Sequence, residues 1–274
     1  MRAYQVRLRW LKRGTAVDLE AAGLLIWLAL AAAAFGAGVV DAVIGGGGML
    51  QLPALFAFLP GVAPPPLLGT NKFASAFGTT GAAIQYARSV PVPWRTVAPS
   101  MAIAFVASLI GAYAVTLVPA EPLKKALPFI LAGLLIYVWA SGAGVEHAPK
   151  HSKRKTALIA SSGTSAIGFY DGFLGAGTGA FYKILFVRGL GYSFLHAAAP
   201  AKFTNVASNL AAVLVFAVTG YIFLWLGIWM AVANFIGGQL GARIALRYGN
   251  NFIRIAFYVV VSVLIAKTFK DAYL

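Results

Sequence analysis

The sequence predicts an all-α polytopic membrane protein with about eight transmembrane helices and two re-entrant half-helices, built from two internal repeats. Three observations carry this prediction. Apolar residues make up 60% of the chain and charged residues 11%, whereas soluble domains have about 25% charged residues. Apolar stretches that can cross a bilayer core of about 30 Å cover most of the chain from Ala21 onward. The chain also matches itself at a fixed offset.

The internal repeat becomes visible when the sequence is shifted by 130 positions. That shift aligns Asp41 with Asp171 and Lys72 with Lys202. Glycine-rich segments can align by chance, but these rare charged residues do not. The same register, without a gap, aligns Gly38 with Gly168, Gly45 with Gly175, Gly47 with Gly177, Gly61 with Gly191, Phe73 with Phe203, Phe105 with Phe235 and Gly111 with Gly241. The predicted units are a basic N-terminal segment (1–20), membrane repeat 1 (21–145), a basic cytoplasmic linker (146–155) and membrane repeat 2 (156–274).

Each repeat is predicted to cross the membrane four times. Between its first and second crossings lies an apolar stretch too short to span, 49–59 in the first repeat and 179–190 in the second. Each stretch follows a glycine-rich break, so we predict a half-helix that re-enters the membrane where protein or a wet cavity surrounds it. The predicted crossings are residues 21–43, 67–87, 96–118, 125–143, 156–175, 200–220, 226–245 and 252–270.

The basic residues predict the orientation in the membrane. Eight crossings put both termini and the 146–155 linker on one side, and the positive-inside rule makes this strongly basic side the cytoplasm. Arg243, Arg247 and Arg254 then lie outside, which fits the rule less well. In the alternative, each short stretch is a full crossing, which gives ten helices and inverted repeats. That arrangement ranks second because it puts the basic linker outside.

The composition argues against several classes of function. The formal charge of +15 comes from residues in short connections rather than from a continuous basic face, so we expect no nucleic-acid partner. The absence of cysteine removes disulfides, thiolate metal sites and cysteine nucleophiles. Three histidines do not suggest a metal site, and no acid, base and nucleophile form a recognisable set. We therefore expect no catalytic residues, no metal ion and no cofactor.

Four ionisable residues lie inside or close to the predicted membrane region: Asp41, Asp171, Lys72 and Lys202. A charge at a helix centre costs about 3 kcal/mol on insertion scales, so such a residue usually has a partner or a function. In one interpretation each aspartate pairs with the lysine 31 positions later in its own repeat. In the other, the two lysines converge and bind an anion, while the aspartates orient them or take up protons.

The polar neighbours of the lysines favour the second interpretation, because a simple ion pair does not need so many hydrogen-bonding groups. These neighbours are Asn71 and Ser75 near Lys72, and Asn205 and Asn209 near Lys202. The two glycine breaks point the same way. Glycine allows positive φ, so consecutive N–H groups can converge on an anion, and the half-helix that follows presents its positive end. The predicted donors there are Gly46, Gly47, Gly177 and Thr178.

With these residues in view, the chain resembles the TauE/SafE sulfite exporter family, also called the TSUP permeases. The resemblance covers both repeats and rests on GVVDAVIGGGG (38–48), LGTNKF (68–73), GFYDGFLGAGTG (168–179) and AKFTN (201–205). It implies a multi-pass permease of the bacterial inner membrane. It also implies a substrate among sulfite, sulfonates and related sulfur-containing or organic anions, moved in either direction.

The sequence as a whole predicts a secondary transporter that binds a small anion between its two repeats. An anion channel, with the same residues lining a continuous pore, is the alternative. The expected partners are the anionic substrate and the lipid bilayer. A coupling proton or cation and a homo-oligomer are compatible with the residues.

Overall fold

The computed structural model describes residues 24–140 and 153–248, together with residues 262, 269 and 270. Residues 24–140 are called the N-terminal half below, and residues 153–248 the C-terminal half. All regular elements in these ranges are helices. They are α1 Leu24–Val43, α2 Gly47–Phe58, α3 Pro64–Ala87, α4 Trp94–Leu117, α5 Ala120–Ala140, α6 Lys153–Phe173, α7 Thr178–Ile184 with a π-helical turn at Leu185–Gly189, α8 Phe194–Val218 and α9 Leu224–Tyr248.

The long helices coincide with seven of the eight predicted crossings. Among the described residues, α1, α4, α8 and α9 are both long enough and apolar enough to cross a membrane. The segment 1–20 lies outside the described residues, as do nearly all of the crossing 252–270 and all but the last three residues of the linker. The chain is therefore a helical membrane protein, and the number of its crossings stays a prediction.

The second predicted crossing, 67–87, starts earlier in the structure, because α3 already begins at Pro64. Three consecutive prolines occupy the first turn of this helix. Proline is tolerated there because its missing N–H would have no partner in any case and its φ already suits a helix. Ala63 before them is extended, as a residue that precedes proline prefers. The three prolines therefore extend this helix beyond the predicted start of the crossing.

The short helix α2 folds back along α1. The chain reverses at Gly45, whose φ of +92° is open to glycine at little cost. Beyond the turn, Gly47 packs on Ala37, and a Cβ at Gly47 would lie 2.5 Å from the Ala37 carbonyl oxygen. Gly36, further back along α1, faces Leu50, so the two helices are antiparallel. The predicted half-helix thus begins deep in the bundle and returns toward the start of α1.

The C-terminal half repeats this reversal with α6 and α7. The chain turns at Gly175, where φ is +75°. Gly163 of α6 then packs on Leu185, and Gly189 packs on Ile159. The contact partners run backward along α6 as they run forward from Leu185 to Gly189, so the two segments are antiparallel. The segment after the second glycine break is therefore also a returning helix.

Three long helices, α1, α3 and α9, run in the same direction. α9 belongs to the C-terminal half but packs against α1 and α3 of the N-terminal half. Residue numbers increase in the same direction along both helices of each contacting pair, which makes the helices parallel. The contacts are Phe73 with Gly227 and Gly78 with Asn234 for α3 and α9, and Gly38 with Asn234 and Ala42 with Gly241 for α1 and α9.

The other three long helices of the core, α4, α6 and α8, also share one direction, which is opposite to that of the first three. α4 packs against α6 and α8 of the C-terminal half. Eight alternating crossings would require α1 and α3 to run in opposite directions, but they are parallel. The contacts that fix these directions are Gly168 with Ala104 and Gly172 with Ser108 (α6 and α4), Trp94 with Phe203 and Ser108 with Ser208 (α4 and α8), and Lys72 with Asn209 and Gly69 with Phe216 (α3 and α8, antiparallel).

The close packing of α1 on α9 makes a testable prediction at Gly38. A Cβ at this position would lie 2.3 Å from the Asn234 backbone oxygen, so Gly38→Ala forces two helices apart. We expect a loss of about 1–3 kcal/mol, typical of overpacking, seen as a lower Tm in detergent. Gly133→Ala is the matched control, since Gly133 is a helical glycine with open space around it. Equal Tm values for the two variants would contradict the packing described here.

Candidate functional site

Two lysine–aspartate ion pairs, one fully buried and one with an aspartate that is 14% exposed, lie where the two halves meet. The Lys72 Nζ of α3 is 2.5 Å from the Asp171 Oδ1 of α6, and the two side chains are 2% and 1% exposed. The Lys202 Nζ of α8 is 2.7 Å from the Asp41 Oδ2 of α1. Each lysine therefore pairs with the aspartate of the opposite half. The interpretation in which each aspartate pairs with the lysine 31 positions later was wrong, because those residues do not meet.

Each ion pair has a third polar partner, and the two sets occupy equivalent positions of the 130-residue offset. Lys72 also donates to Asn209 Oδ1 at 3.0 Å. In the other set, Thr79 Oγ1 donates to Asp41 Oδ2 at 3.2 Å. We call the first set (Lys72, Asp171 and Asn209) triad 1 and the second set (Lys202, Asp41 and Thr79) triad 2. Lys202 additionally donates to the backbone oxygen of Asp41.

The two glycine turns pack directly against each other and against triad 1. The Ala180 N–H donates to the Gly45 carbonyl oxygen at 2.9 Å, which joins the second turn to the first. A Cβ at Gly175 would lie 2.2 Å from Lys72 Nζ. Glycine is therefore required at this position both for its φ and for the approach of the lysine. The first N–H groups of α2, those of Gly47 and Gly48, have no acceptor within their own helix, as at any helix N-terminus.

Two tyrosines hold the ends of the turns in place. The Tyr86 hydroxyl of α3 donates to the Ala42 carbonyl oxygen at 2.9 Å, just before the first turn. The Tyr170 hydroxyl of α6 donates to the Ala176 carbonyl oxygen at 2.7 Å, inside the second turn. Backbone groups released by the breaks therefore find side-chain partners, which irregular backbone in a low-dielectric region needs.

A small polar cavity lies between the two turns. The space open to the centre of a water molecule is about 10 Å³, close to the volume that one ordered water requires. Its walls come from both halves and contain carboxylates, hydroxyls, amides and glycine backbone. The lining residues are Asp41, Gly45, Gly48, Ser75, Thr79, Asp171, Gly175, Gly177, Thr178, Gly179, Asn205 and Asn209.

Most of the predicted site residues line this cavity, and the others lie behind its wall. Lys72 and Lys202 reach it only through their aspartates. The predicted residues that line it are Asp41, Ser75, Asp171, Gly177, Thr178, Asn205 and Asn209, whereas Gly46, Gly47, Asn71, Lys72 and Lys202 do not. The sequence missed Gly45, Gly48, Thr79, Gly175 and Gly179 as wall residues. Thr79 could have been predicted, because it lies 130 positions before Asn209, which was a predicted site residue.

Comparison with known proteins places these features in a family. The model of the sulfite exporter TauE/SafE family matches residues 30–268, a range that contains both triads and both glycine turns. The chain belongs to the TauE/SafE family. It is 35% identical over 234 residues to the probable membrane transporter protein ORF9 of Sinorhizobium sp., which covers 85% of this chain and 88% of that protein.

Two further relatives extend the comparison. The chain is 32% identical over 252 residues to the probable membrane transporter protein YfcA of Escherichia coli K12, covering 92% of this chain and 90% of YfcA. It is 31% identical over 238 residues to a probable membrane transporter protein of Haemophilus influenzae, covering 86% of this chain and 92% of that protein. No solved structure matches the chain. Membership of the TauE/SafE family makes the chain a multi-pass membrane transporter and points away from an enzyme.

A third buried lysine, Lys183 on α7, was missed by the sequence reasoning. Its Nζ donates to the Val43 carbonyl oxygen at 2.8 Å, so it ties the second hairpin to the end of α1. The predicted ionisable residues, Asp41, Asp171, Lys72 and Lys202, stand out because they match at the 130-residue offset. Lys183 has no such match, because the equivalent position is Pro53. A buried lysine in an otherwise apolar stretch was the signal available.

The crossed pairing of the triads predicts a specific pattern of stability. Lys72→Met leaves Asp171 buried without its cation, which typically costs about 3–5 kcal/mol. The double variant Lys72→Met/Asp171→Asn removes both charges and should recover much of that loss. Lys72→Met/Asp41→Asn is the matched control, which should recover nothing. Thermal unfolding of the purified variants measures this, and rescue by Asp41→Asn instead would contradict the crossed pairs.

Proposed function

We propose that this TauE/SafE chain is a secondary transporter for a small anion, such as sulfite, a sulfonate or a related sulfur-containing or organic anion. The anion binds between the two halves, at the cavity flanked by the two triads. The observation that carries the proposal is the pair of buried lysines from opposite halves whose aspartate partners both line one polar cavity. Lys72 and Lys202 supply positive charge there, and a buried cation is costly unless it has a partner or a task.

The remaining groups around the cavity suit an anion with several oxygen atoms. Ser75, Asn205 and Asn209 line the wall and can donate hydrogen bonds. Asn71 is buried next to Lys72 and its Oδ1 has no partner among the described residues, so its amide can be reoriented toward a ligand. Backbone donors come from the two turns, at Gly46, Gly47, Gly177 and Thr178. α2 contributes the positive end of its dipole at the same point.

The size of the cavity favours a carrier over a channel. A space for about one water molecule is too small for an anion such as sulfite, so the walls have to move apart before substrate enters. A channel requires a continuous wet path through the protein. The buried triads close such a path in this conformation, since Lys72 and Asp171 are almost fully excluded from solvent. Alternating access by movement of one group of helices against the other fits these contacts.

The helix directions support inverted repeats, the alternative that gives ten helices. α1 and α6 are equivalent in the 130-residue offset but run in opposite directions, and so are α3 and α8. Contacts also exchange between the halves: Gly241 lies against Val39 as Gly111 lies against Phe169, at positions related by the offset. Inverted repeats with a site at their interface are a common plan for secondary transporters. We propose the bacterial inner membrane as the location, with the N-terminus in the cytoplasm.

A binding experiment on purified protein tests the proposed substrate class. We expect one anion among sulfite, sulfate, thiosulfate, methanesulfonate and acetate to raise the Tm. A ligand at a hundred times its Kd stabilises by about 2.7 kcal/mol. Lys72→Ala and Lys202→Ala, each compared with its own ligand-free Tm, should lose the response. Lys125→Ala, which removes an exposed lysine of α5, is the control and should keep it. Retention of the response in both lysine variants would show that the lysines are structural.

The same site also distinguishes a carrier from a channel by flux. In proteoliposomes, a carrier saturates with substrate and shows counterflow of labelled anion against unlabelled anion on the other side. A linear, non-saturating flux without counterflow would overturn the carrier and favour the channel.

Cysteine labelling tests the inverted arrangement, because the chain contains no cysteine of its own. Single variants Tyr4→Cys, Ser89→Cys and His147→Cys are exposed to a membrane-impermeant maleimide in intact cells. Inverted repeats with a cytoplasmic N-terminus predict reaction of Ser89→Cys and His147→Cys but protection of Tyr4→Cys. Eight alternating crossings put all three positions in the cytoplasm. Protection of all three variants, with reaction after the cells are opened, would reject the inverted arrangement.

A further inference from the structure

The two aspartates of the triads differ in their burial and in the donors that reach them. Asp171 is 1% exposed, and its Oδ1 accepts from Lys72. Its second oxygen, Oδ2, has no hydrogen-bond partner among the described residues. Asp171 lines the cavity between the turns. A buried carboxylate oxygen without a donor is costly and uncommon, so it points to a ligand that this conformation of the site can accept.

In triad 2 the corresponding aspartate is 14% exposed, and the oxygen that forms the ion pair has two donors. Asp41 Oδ2 accepts from both Lys202 and Thr79. The backbone oxygen of Asp41 accepts from Lys202 as well. Lys202 would therefore keep an acceptor on residue 41 even if the carboxylate lost its charge. Lys72 has no such reserve on residue 171, and would be left with the neutral amide oxygen of Asn209.

A second unsatisfied group lies in the wall of the same cavity. Thr178 is buried, and its Oγ1 has no partner among the described residues. A hydroxyl can accept a hydrogen bond as well as donate one, so it can accept a hydrogen bond from a protonated carboxyl group or a water molecule in the cavity. The buried lysines oppose a metal cation at this cavity, because they already supply positive charge.

From these differences we propose that Asp171 takes up a proton when the substrate anion binds, and that Lys72 is then the lysine that holds the anion. This inference rests on the proposed function and divides the roles of the two triads, since Asp41 stays ionised and holds Lys202. The proton enters on Asp171 Oδ2 and neutralises the carboxylate. The anion replaces that negative charge beside Lys72, so the net charge of the buried region does not change. When the anion leaves, Asp171 releases the proton and recovers Lys72.

The charged and titratable surroundings of Asp171 are few among the described residues. Lys72 faces it from α3, and Tyr182 of α7 lies close enough to interact with its charge. Tyr170 is its neighbour on α6, and Asp41 is on the opposite wall of the cavity. From α4, the backbone of Ser108 packs at Gly172. Lys72 is therefore the cation that holds the charge of Asp171, and a competing anion must displace it.

Calorimetry of anion binding tests this proposal on the whole purified protein. The probe is methanesulfonate, whose charge stays constant across neutral pH, or another panel anion that the protein binds, with the anion's own protonation subtracted. Titrations in buffers of different ionisation enthalpy give the number of protons taken up. We expect about one proton per anion, and a Kd that rises about tenfold per pH unit while Asp171 is ionised in the free protein.

The two aspartate variants separate the roles. Asp171→Asn keeps an oxygen for Lys72 but cannot titrate, so we expect no proton uptake and a Kd independent of pH. Asp41→Asn, at the equivalent position of triad 2, is judged by its proton count alone: whatever its affinity for the anion, we expect about one proton per anion bound. Proton uptake that persists in Asp171→Asn, or that disappears in Asp41→Asn, overturns the proposal.

The parent protein alone decides the matter if a variant does not fold. Anion binding without proton uptake rejects the role of Asp171 and leaves the proposed function intact. No binding of any anion in the panel, by a folded parent, rejects the proposed function and this inference with it.

Discussion

The crossed lysine–aspartate pairs are the constraint on which the rest of the structure depends. Burying a lone charge in a low-dielectric interior costs several kcal/mol, and removing one partner of a buried pair leaves that cost uncompensated. Among the described residues, Lys72 forms its ion pair with Asp171 and Lys202 forms its ion pair with Asp41, so each half supplies the counter-charge that the other half buries. The packing of α4 and α9 also joins the halves. α4 packs on α6 and α8 of the C-terminal half, and α9 packs on α1 and α3 of the N-terminal half.

The second glycine turn lies directly against the Lys72–Asp171 ion pair. Lys72 Nζ can reach Asp171 only because residue 175 has no side chain: a Cβ there would lie 2.2 Å from the ammonium nitrogen. The turn must also reverse the chain within a few residues, and the positive φ of Gly45 and Gly175 allows this. The reversals bring the beginnings of α2 and α7 to the same depth as the charges. Access of Lys72 to a buried carboxylate therefore requires the glycine of the second turn, whereas Gly45 is required by its positive φ and by the backbone of Gly179 and Ala180 packed against it.

Sequence reasoning found the components of the site more readily than their connections. Asp41, Asp171, Lys72 and Lys202 were identifiable because charged residues are rare in apolar segments and recur at one offset. Their pairing was not, since a shift of 130 positions shows which residues are equivalent and not which residues touch. The direction of α3 relative to α1 was hidden for a similar reason: hydropathy locates a helix but does not say that α2 returns along its predecessor. Lys183 escaped because it breaks the repeat, with Pro53 at the equivalent position.

The proposed transport cycle depends on how equal the two triads are. A carrier that alternates between two faces needs two conformations separated by only a few kcal/mol, and inverted halves with equivalent ion pairs provide such a balance. If the cavity walls contributed by the two halves were identical, they would offer no asymmetric contacts by which one anion could be distinguished from another. The cavity-lining residues at equivalent positions of the 130-residue offset are unequal. Ser75 corresponds to Asn205, Thr79 to Asn209 and Gly48 to Thr178. In the proposed cycle, the paired charges therefore set the balance between conformations, and the unequal wall residues are the ones that would recognise the anion.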